Sequence, residues 1–170
     1  MTATLVIGLG SPDGGDDAVG LWVARRVAEL APPDVVVVEH EDPTGLIDLW
    51  RGSERAVVVD AVASWAPPGT LLVLEAGTDA PPLTEDAWAS TGRGGTHAFG
   101  LAAAVELGRA LHSLPRRLVL VGVEAATFEH GAGLSPDVRA ALDGAVAAVL
   151  GACQDASRDA GRGVVADVSG

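Results

Sequence analysis

Two aspartates and one histidine stand at positions in this sequence where side chains could carry out chemistry. Each follows an apolar or glycine-rich run: Asp17 closes the acidic pair of "GLGSPDGGDDAVG", Asp60 ends "VVVD", and His97 follows "GRGGT". Two carboxylates and an imidazole from three separate segments could surround one divalent ion and leave coordination positions open. The residue types therefore predict a cation site, provided that the fold brings the three segments together.

The glycine-rich segment at residues 8–20 has the pattern of a phosphate-binding turn but the wrong charge for one. Such a turn between a strand and a helix normally receives an anion on backbone N–H groups, and Asp16 and Asp17 would repel it. A dinucleotide fingerprint would also need glycine where the chain has Asp13. We therefore interpret the glycines as residues that let the backbone turn tightly, and the carboxylates as ligands for a cation.

Each candidate residue also has a structural interpretation. Asp16 is interpreted as a helix-capping residue, and capping is an equal alternative for Asp17. Asp60 could anchor a loop, although an aspartate that ends a buried strand needs strong hydrogen-bond donors or a cation. A helix that begins at His97 would keep its imidazole neutral and able to bind metal. The remaining histidines are left outside the predicted site: His40, His112 and His130.

Nucleophilic catalysis by serine or cysteine has little support in the sequence. There is no Gly-X-Ser-X-Gly segment, and the single cysteine, Cys153, has neither a second cysteine nor a histidine nearby. We predict that Cys153 is a small buried or half-buried side chain without a chemical role.

Composition and charge limit the class of protein. The 170 residues are 48% hydrophobic and carry a formal net charge of −12, so nucleic acid and anionic membrane surfaces should be repelled. No apolar run approaches the roughly 20 residues of a membrane span, and the N-terminus shows no export signal, which predicts a cytoplasmic protein. We expect one domain over residues 1–152, followed by a disordered tail over residues 153–170.

Short β-branched runs alternate with longer stretches of helical spacing, which is the pattern of an α/β domain. The connection between the third and fourth strands is too short for a parallel crossover, so the fourth strand should be antiparallel and the sheet mixed. Because ligands bind at the carboxyl ends of strands in open α/β sheets, the three candidate residues are expected to meet there. Strands are predicted over residues 4–9, 34–41, 55–62, 69–76 and 116–125, and helices over 16–30, 43–52, 96–114 and 134–153.

Four segments, taken in order, resemble the hydrogenase maturation proteases, endopeptidases that remove a C-terminal extension from the large subunit of nickel-iron hydrogenase after nickel insertion. "GLGSPDGGDDAVG" resembles the family's opening Gly-X-Gly-Asn, acidic pair and glycine, with Ser11 in place of the usual asparagine. "VVVDAV" resembles the strand that ends in the second acidic ligand, and "THAFG" the segment with the histidine ligand. "VGVEAATFEHGAGLSPDV" resembles the late strand and the Gly-Leu-Ser-Pro helix start.

The resemblance covers about residues 4–150 and implies both a fold and a site. The implied fold is a three-layer α/β/α sandwich of the phosphorylase/hydrolase-like type, with a five-stranded mixed sheet in the order 2-1-3-5-4 and the fourth strand reversed. In the implied site, Asp17, Asp60 and His97 contact nickel that the hydrogenase large-subunit precursor already holds. The resemblance thus implies a processing endopeptidase, which we expect to be monomeric.

Other functions and roles remain open from the residues. A non-catalytic metal-binding or chaperone-like module would hold the hydrogenase subunit without cleaving it, and a peptidase of the same architecture would cleave another precursor without nickel. Water could be activated by the metal or by a carboxylate, Asp17 or Asp16. Trp65 and Trp88 could contact substrate or pack their loops onto the core, and Glu124 could support the site from behind a ligand.

Overall fold

The described part of the chain contains five strands and five α-helices. The computed structural model describes the backbone of residues 3–89 and 96–162, and the side chains of residues 3–87 and 100–154. The strands are β1 (Thr4–Leu9), β2 (Val35–His40), β3 (Arg55–Val62), β4 (Leu71–Glu75) and β5 (Arg117–Glu124). The helices are α1 (Val19–Leu30), α2 (Leu46–Trp50), α3 (Glu85–Ala89), α4 (Thr96–Ala110) and α5 (Pro136–Arg162).

The five strands form one mixed sheet in the order β2-β1-β3-β5-β4. The pairs β1–β2, β1–β3 and β3–β5 are parallel, whereas β4 runs antiparallel to β5. Both the order and the reversed fourth strand are therefore confirmed. Residues 63–70 are the whole connection between β3 and β4, and a segment so short cannot carry the chain back to the start of a parallel strand.

Helices cover both faces of the sheet and give the molecule three layers. On one face, Val57 and Val59 of β3 lie in an apolar cluster with residues of α1 and α5. On the other face, Val58 lies in a second cluster with residues of α2 and α4. The central strands read as continuous apolar runs because both of their faces are buried.

Several elements differ in their bounds from those expected from the sequence, and α4 ends at Ala110 instead of at residue 114. A 3-10 turn over Gly15–Ala18 precedes α1, so the aspartate pair lies ahead of the α-helix. Within the polar segment 77–95, α3 forms where the Thr84 hydroxyl accepts a hydrogen bond from the Ala87 N–H at 3.2 Å. The last helix continues to Arg162, past its expected end at residue 153 and into the segment 153–170 that was expected to be a disordered tail.

None of the helices in the described part of the chain is both long enough and apolar enough to span a membrane.

Candidate active site at the carboxyl edge of the sheet

Gly10 in the first loop and Gly20 in the first turn of α1 allow this helix to begin directly against the sheet. A Cβ atom on Gly20 would lie 2.1 Å from the carbonyl oxygen of Leu9 and 2.6 Å from that of Val59. A Cβ atom on Gly10 would lie 2.0 Å from the carbonyl oxygen of Asp17. No side chain fits at such distances, so these glycines are required for a close approach of two backbone segments. The loop consequently holds Asp17 at the carboxyl edge of the sheet.

Asp17 is buried and oriented by its own loop. Its side chain is 8% exposed, and one carboxylate oxygen, Oδ2, accepts a hydrogen bond from the Ser11 N–H at 3.0 Å. The Asp17 N–H in turn donates to the Gly14 carbonyl at 3.1 Å. Residue 11 is serine here instead of the asparagine that is usual in the family. The hydrogen bond that orients Asp17 does not depend on this difference, because its donor is the backbone N–H of residue 11.

Asp60 lies two residues before the end of β3 and is almost completely buried, with 2% of its surface exposed. Burial raises the pKa of this carboxyl group well above its usual value, and the negative charge of Asp17 raises that pKa further. The Ala61 N–H donates a 2.8 Å hydrogen bond to Oδ1 of Asp60, and this hydrogen bond lowers the pKa. The two carboxylates therefore repel each other in a poorly hydrated place, and a cation between them would remove that penalty.

His97 falls in the first turn of α4, but its side chain lies outside the described residues. The backbone of α4 nevertheless runs along the sheet face that carries Asp60. Leu101, one helical turn after position 97, borders the same small cavity of about 10 Å³ as Asp60. Among the described side chains, no three histidines, cysteines, aspartates or glutamates form a group that could hold a metal ion. The structure thus places two of the three predicted ligands near one another, and the imidazole stays a prediction.

Asp16 has a different role from its neighbour. It is fully buried and accepts four hydrogen bonds from the segment before α5, through N–H groups and one hydroxyl. Ser135 supplies two of them, from its N–H at 2.7 Å and its Oγ at 2.8 Å. The expected capping of its own helix does not occur, because neither the 3-10 turn nor α1 has a side-chain cap. Asp16 instead joins the first loop to the start of the last helix, a contact for which the sequence offers no local signal.

Glu124, the last residue of β5, is also a buried carboxylate with a positioning contact. Its two oxygens accept hydrogen bonds from the N–H and the hydroxyl of Ser64, at 2.8 and 2.7 Å. Asp60 pairs with Gly122 and Val62 pairs with Glu124, and residues two apart on a strand share a face. Glu124 therefore lies on the same face as Asp60 and fixes the loop after β3.

The other histidines and the cysteine lie outside this site. The ring of His40 contacts the loop that follows β2, with Nδ1 2.9 Å from the Asp42 carbonyl oxygen. His112 and His130 are exposed after α4 and after β5. Cys153 is buried in the α1–α5 cluster, and burial raises the pKa of its thiol to about 11, with Asp34 adding to the rise. A thiol in that state is a poor nucleophile at neutral pH, which agrees with the structural role predicted for it.

Fold and site together define a class: an α/β protein with two repelling carboxylates at the carboxyl edge of its sheet. Several known proteins are similar to the chain over most of its length. The hydrogenase maturation protease family model matches residues 28–152. The hydrogenase 2 maturation protease of Escherichia coli (strain K12) is 28% identical over 160 residues, which are 92% of this chain and 93% of that protein.

Solved structures agree with the sequence comparisons. The hydrogenase maturating endopeptidase HybD from E. coli has a TM-score of 0.75 and 26% identity, over 91% of this chain and 94% of its own. The NiFe hydrogenase maturation protease HybD from Thermococcus kodakarensis shares the fold, with a TM-score of 0.63 and 22% identity over 87% and 97% of the two chains. The present chain belongs to the hydrogenase maturation protease family and is an endopeptidase, a hydrolase of peptide bonds.

Proposed function

We propose that this endopeptidase removes the C-terminal extension from the large-subunit precursor of a nickel-iron hydrogenase after nickel has been inserted. The observation that carries the proposal is the pair of buried carboxylates, Asp17 and Asp60, which repel each other at the carboxyl edge of the sheet. Nickel that arrives with the precursor would relieve this repulsion, so the fully loaded precursor is the form that the site favours.

The donor set supports a divalent first-row ion as the recognised group. Carboxylate oxygens and an imidazole nitrogen are suitable ligands for such an ion, and Asp17, Asp60 and His97 would supply them. Position 97 lies at the start of the helix that covers the Asp60 face. When these residues complete the coordination of a metal held by the precursor, the scissile bond is fixed relative to the enzyme.

Peptide hydrolysis requires a group that accepts a proton from the attacking water. The water oxygen bonds to the scissile carbonyl carbon, the carbon–nitrogen bond breaks, and the amine product takes up a proton. Of the two adjacent aspartates, Asp17 fits the role of base better, because all four hydrogen bonds to Asp16 come from groups of the folded chain itself. Activation of the water by the bound ion is the alternative that this arrangement leaves in place.

Intact-mass spectrometry of a hydrogenase large-subunit precursor tests the proposed function. Nickel-loaded and nickel-free precursor are incubated with the protein, and loss of one C-terminal fragment only from the loaded form is expected. Fragment loss from both forms would contradict recognition of nickel. Binding without any change in mass would favour the non-catalytic module, which family membership already disfavours.

The role of the third ligand can be tested with a matched pair of histidine variants. His97→Ala is expected to abolish processing, whereas His130→Ala, which changes an exposed histidine after β5, should leave it unchanged. Equal activity of the two variants would remove His97 from the proposed site.

We further propose that the enzyme is monomeric and cytoplasmic and binds neither nucleic acid nor a membrane. The net charge of −12 supports the last two points, because phosphate-bearing surfaces would repel the protein. Light scattering of the purified protein is expected to give the mass of one chain, 17.1 kDa.

A further inference from the structure

Trp65 is the feature of the molecule that neither the core nor the proposed ligand set explains. It lies in the connection between β3 and β4, and 88% of its surface is exposed. Its backbone has a φ of 69°, a region that a bulky residue enters only at an energetic cost. Packing of Trp65 onto the core, one of the two roles considered for it, therefore does not occur.

The loop that presents Trp65 is held firmly on both sides. Before it, Ser64 donates two hydrogen bonds to the buried carboxylate of Glu124. After it, the Gly69 N–H donates to the Glu124 carbonyl at 2.8 Å, and the Glu124 N–H donates to the Thr70 carbonyl at 2.9 Å. One residue of β5 thus fixes both ends of the loop, so the exposed indole belongs to a defined conformation.

The position of this loop connects it to the candidate site. Trp65 follows Asp60 by five positions, just beyond the carboxyl end of β3. The loop's support, Glu124, lies on the same sheet face as Asp60. In addition, the chain has no charged residue between Asp60 and Glu75, and Pro67 and Pro68, two and three positions after Trp65, are exposed. The tip of the loop that follows the Asp60 strand at the carboxyl edge of the sheet is therefore uncharged and apolar, in a strongly acidic protein.

We propose that Trp65 is a substrate-docking residue that packs its indole against an apolar patch of the hydrogenase precursor next to the bond that is cleaved. This inference rests on the proposed function. An uncharged tip gains little from a charged partner surface, whereas a tryptophan that becomes buried contributes a large apolar area. Glu124 acts as a positioning residue, because it holds the backbone conformation that exposes the ring.

Replacement of Trp65 by glycine separates docking from stability. Glycine adopts a φ of 69° without strain, so Trp65→Gly should leave the midpoint of thermal unfolding unchanged or raise it. The KM for nickel-loaded precursor should rise about 10- to 100-fold, the range of interface hot spots, with kcat nearly unchanged. Trp65→Phe should recover most of the affinity because it restores an aromatic ring.

His112 provides the matched control. It is the other non-glycine residue with positive φ in the described chain, at 54°, and it is exposed after the C-terminal end of α4, at the opposite edge of the sheet. His112→Gly relieves the same kind of backbone strain and should leave KM and kcat unchanged.

The outcomes distinguish this inference from the proposed function. If the wild-type protein processes the nickel-loaded precursor and Trp65→Gly does so with the same KM, the docking role is wrong and the proposed function stands. If the wild-type protein leaves the precursor uncut, the proposed function itself fails. A loss of kcat with unchanged KM in Trp65→Gly would also contradict docking.

Discussion

The neighbouring carboxylates of Asp16 and Asp17 have different roles in this protein, and their hydrogen bonds explain the difference. All four donors to Asp16 belong to a segment more than a hundred residues later in the chain. Asp17 accepts from Ser11 within its own loop and lies close enough to Asp60 to raise the pKa of that group. Asp16 therefore stabilises the fold, whereas the charge of Asp17 acts on Asp60 within the candidate site.

Asp17→Asn should abolish processing of the nickel-loaded precursor with little effect on folding. The substitution nearly preserves the shape of the side chain, and its amide oxygen can still accept the Ser11 hydrogen bond, but the charge that would meet the cation is lost. Intact-mass spectrometry measures the processing, and circular dichroism during heating measures the fold. Unchanged processing by this variant would defeat the assignment of Asp17.

Asp16→Asn should have the opposite pattern, with a large loss of stability. Both oxygens of Asp16 accept hydrogen bonds from buried N–H and hydroxyl groups. In asparagine, an NH₂ group replaces one of these oxygens and cannot accept, so the donors that face it lose their acceptor. A loss of about 2–4 kcal/mol is expected, which lowers the midpoint of thermal unfolding by about 5–15 °C in a domain of this size. A midpoint within a degree of wild type would show that Asp16 is not a structural joint.

At the scale of elements, the site depends on how closely α1 approaches the sheet. The start of this helix contacts the ends of β1 and β3 through Gly20, where no Cβ atom fits. The same approach sets the position of the loop that carries Asp17. Helix α4 lies over the same sheet face as Asp60, and the β3–β4 loop begins at the carboxyl end of the strand that carries Asp60.

Gly20→Ala should be strongly destabilising, by about 3 kcal/mol or more, because either α1 moves away from the sheet or the strands distort. Gly151→Ala in α5 is the matched control, since no atom lies within 4 Å of its Cβ position. There, alanine should stabilise by about 0.5–1 kcal/mol through helix propensity. Chemical denaturation measures both values, and equal effects of the two substitutions would contradict the close-approach argument.

At the scale of the whole molecule, the candidate site reduces the stability of the free protein. Formation of the folded state buries Asp60 near Asp17 in a chain whose net charge is already −12. Because the folded-state pKa of Asp60 is raised, the folded protein holds a proton that the unfolded chain releases near its ordinary pKa of 3.8. Stability must therefore fall as pH rises from about 4 through the folded-state pKa.

Asp60→Asn removes this pH dependence and should raise the midpoint of thermal unfolding at neutral pH while it abolishes processing. The gain should be several degrees, since 1 kcal/mol shifts the midpoint by about 2–4 °C in a domain of this size. Well below pH 3.8 the pH-dependent part of the difference from wild type should vanish, because Asp60 is then protonated in both the folded and the unfolded state. A wild-type protein whose stability increases from pH 4 to pH 8 more steeply than that of Asp60→Asn would contradict the raised pKa.

Periodicity, charge and connection length in the sequence were sufficient to determine the strands, the class of fold and the reversed fourth strand. These features are local: strand and helix periods appear in consecutive residues, and a connection of eight residues, 63–70, excludes a parallel crossover. Residue type and position also gave the three candidate ligands, whereas the order of the strands and the assignment of nickel to those ligands came from four ordered motifs that resemble a known family.

Only the tertiary structure decided which of the adjacent aspartates is a structural joint and which faces the candidate site. The deciding contact joins Asp16 to Ser135, 119 positions apart, and no local pattern records a partner at that distance. The exposure of Trp65 and its support by Glu124, 60 positions from Ser64, have the same origin. Local sequence determines which element forms, whereas the environment of a side chain is decided by elements that meet only after the chain has folded.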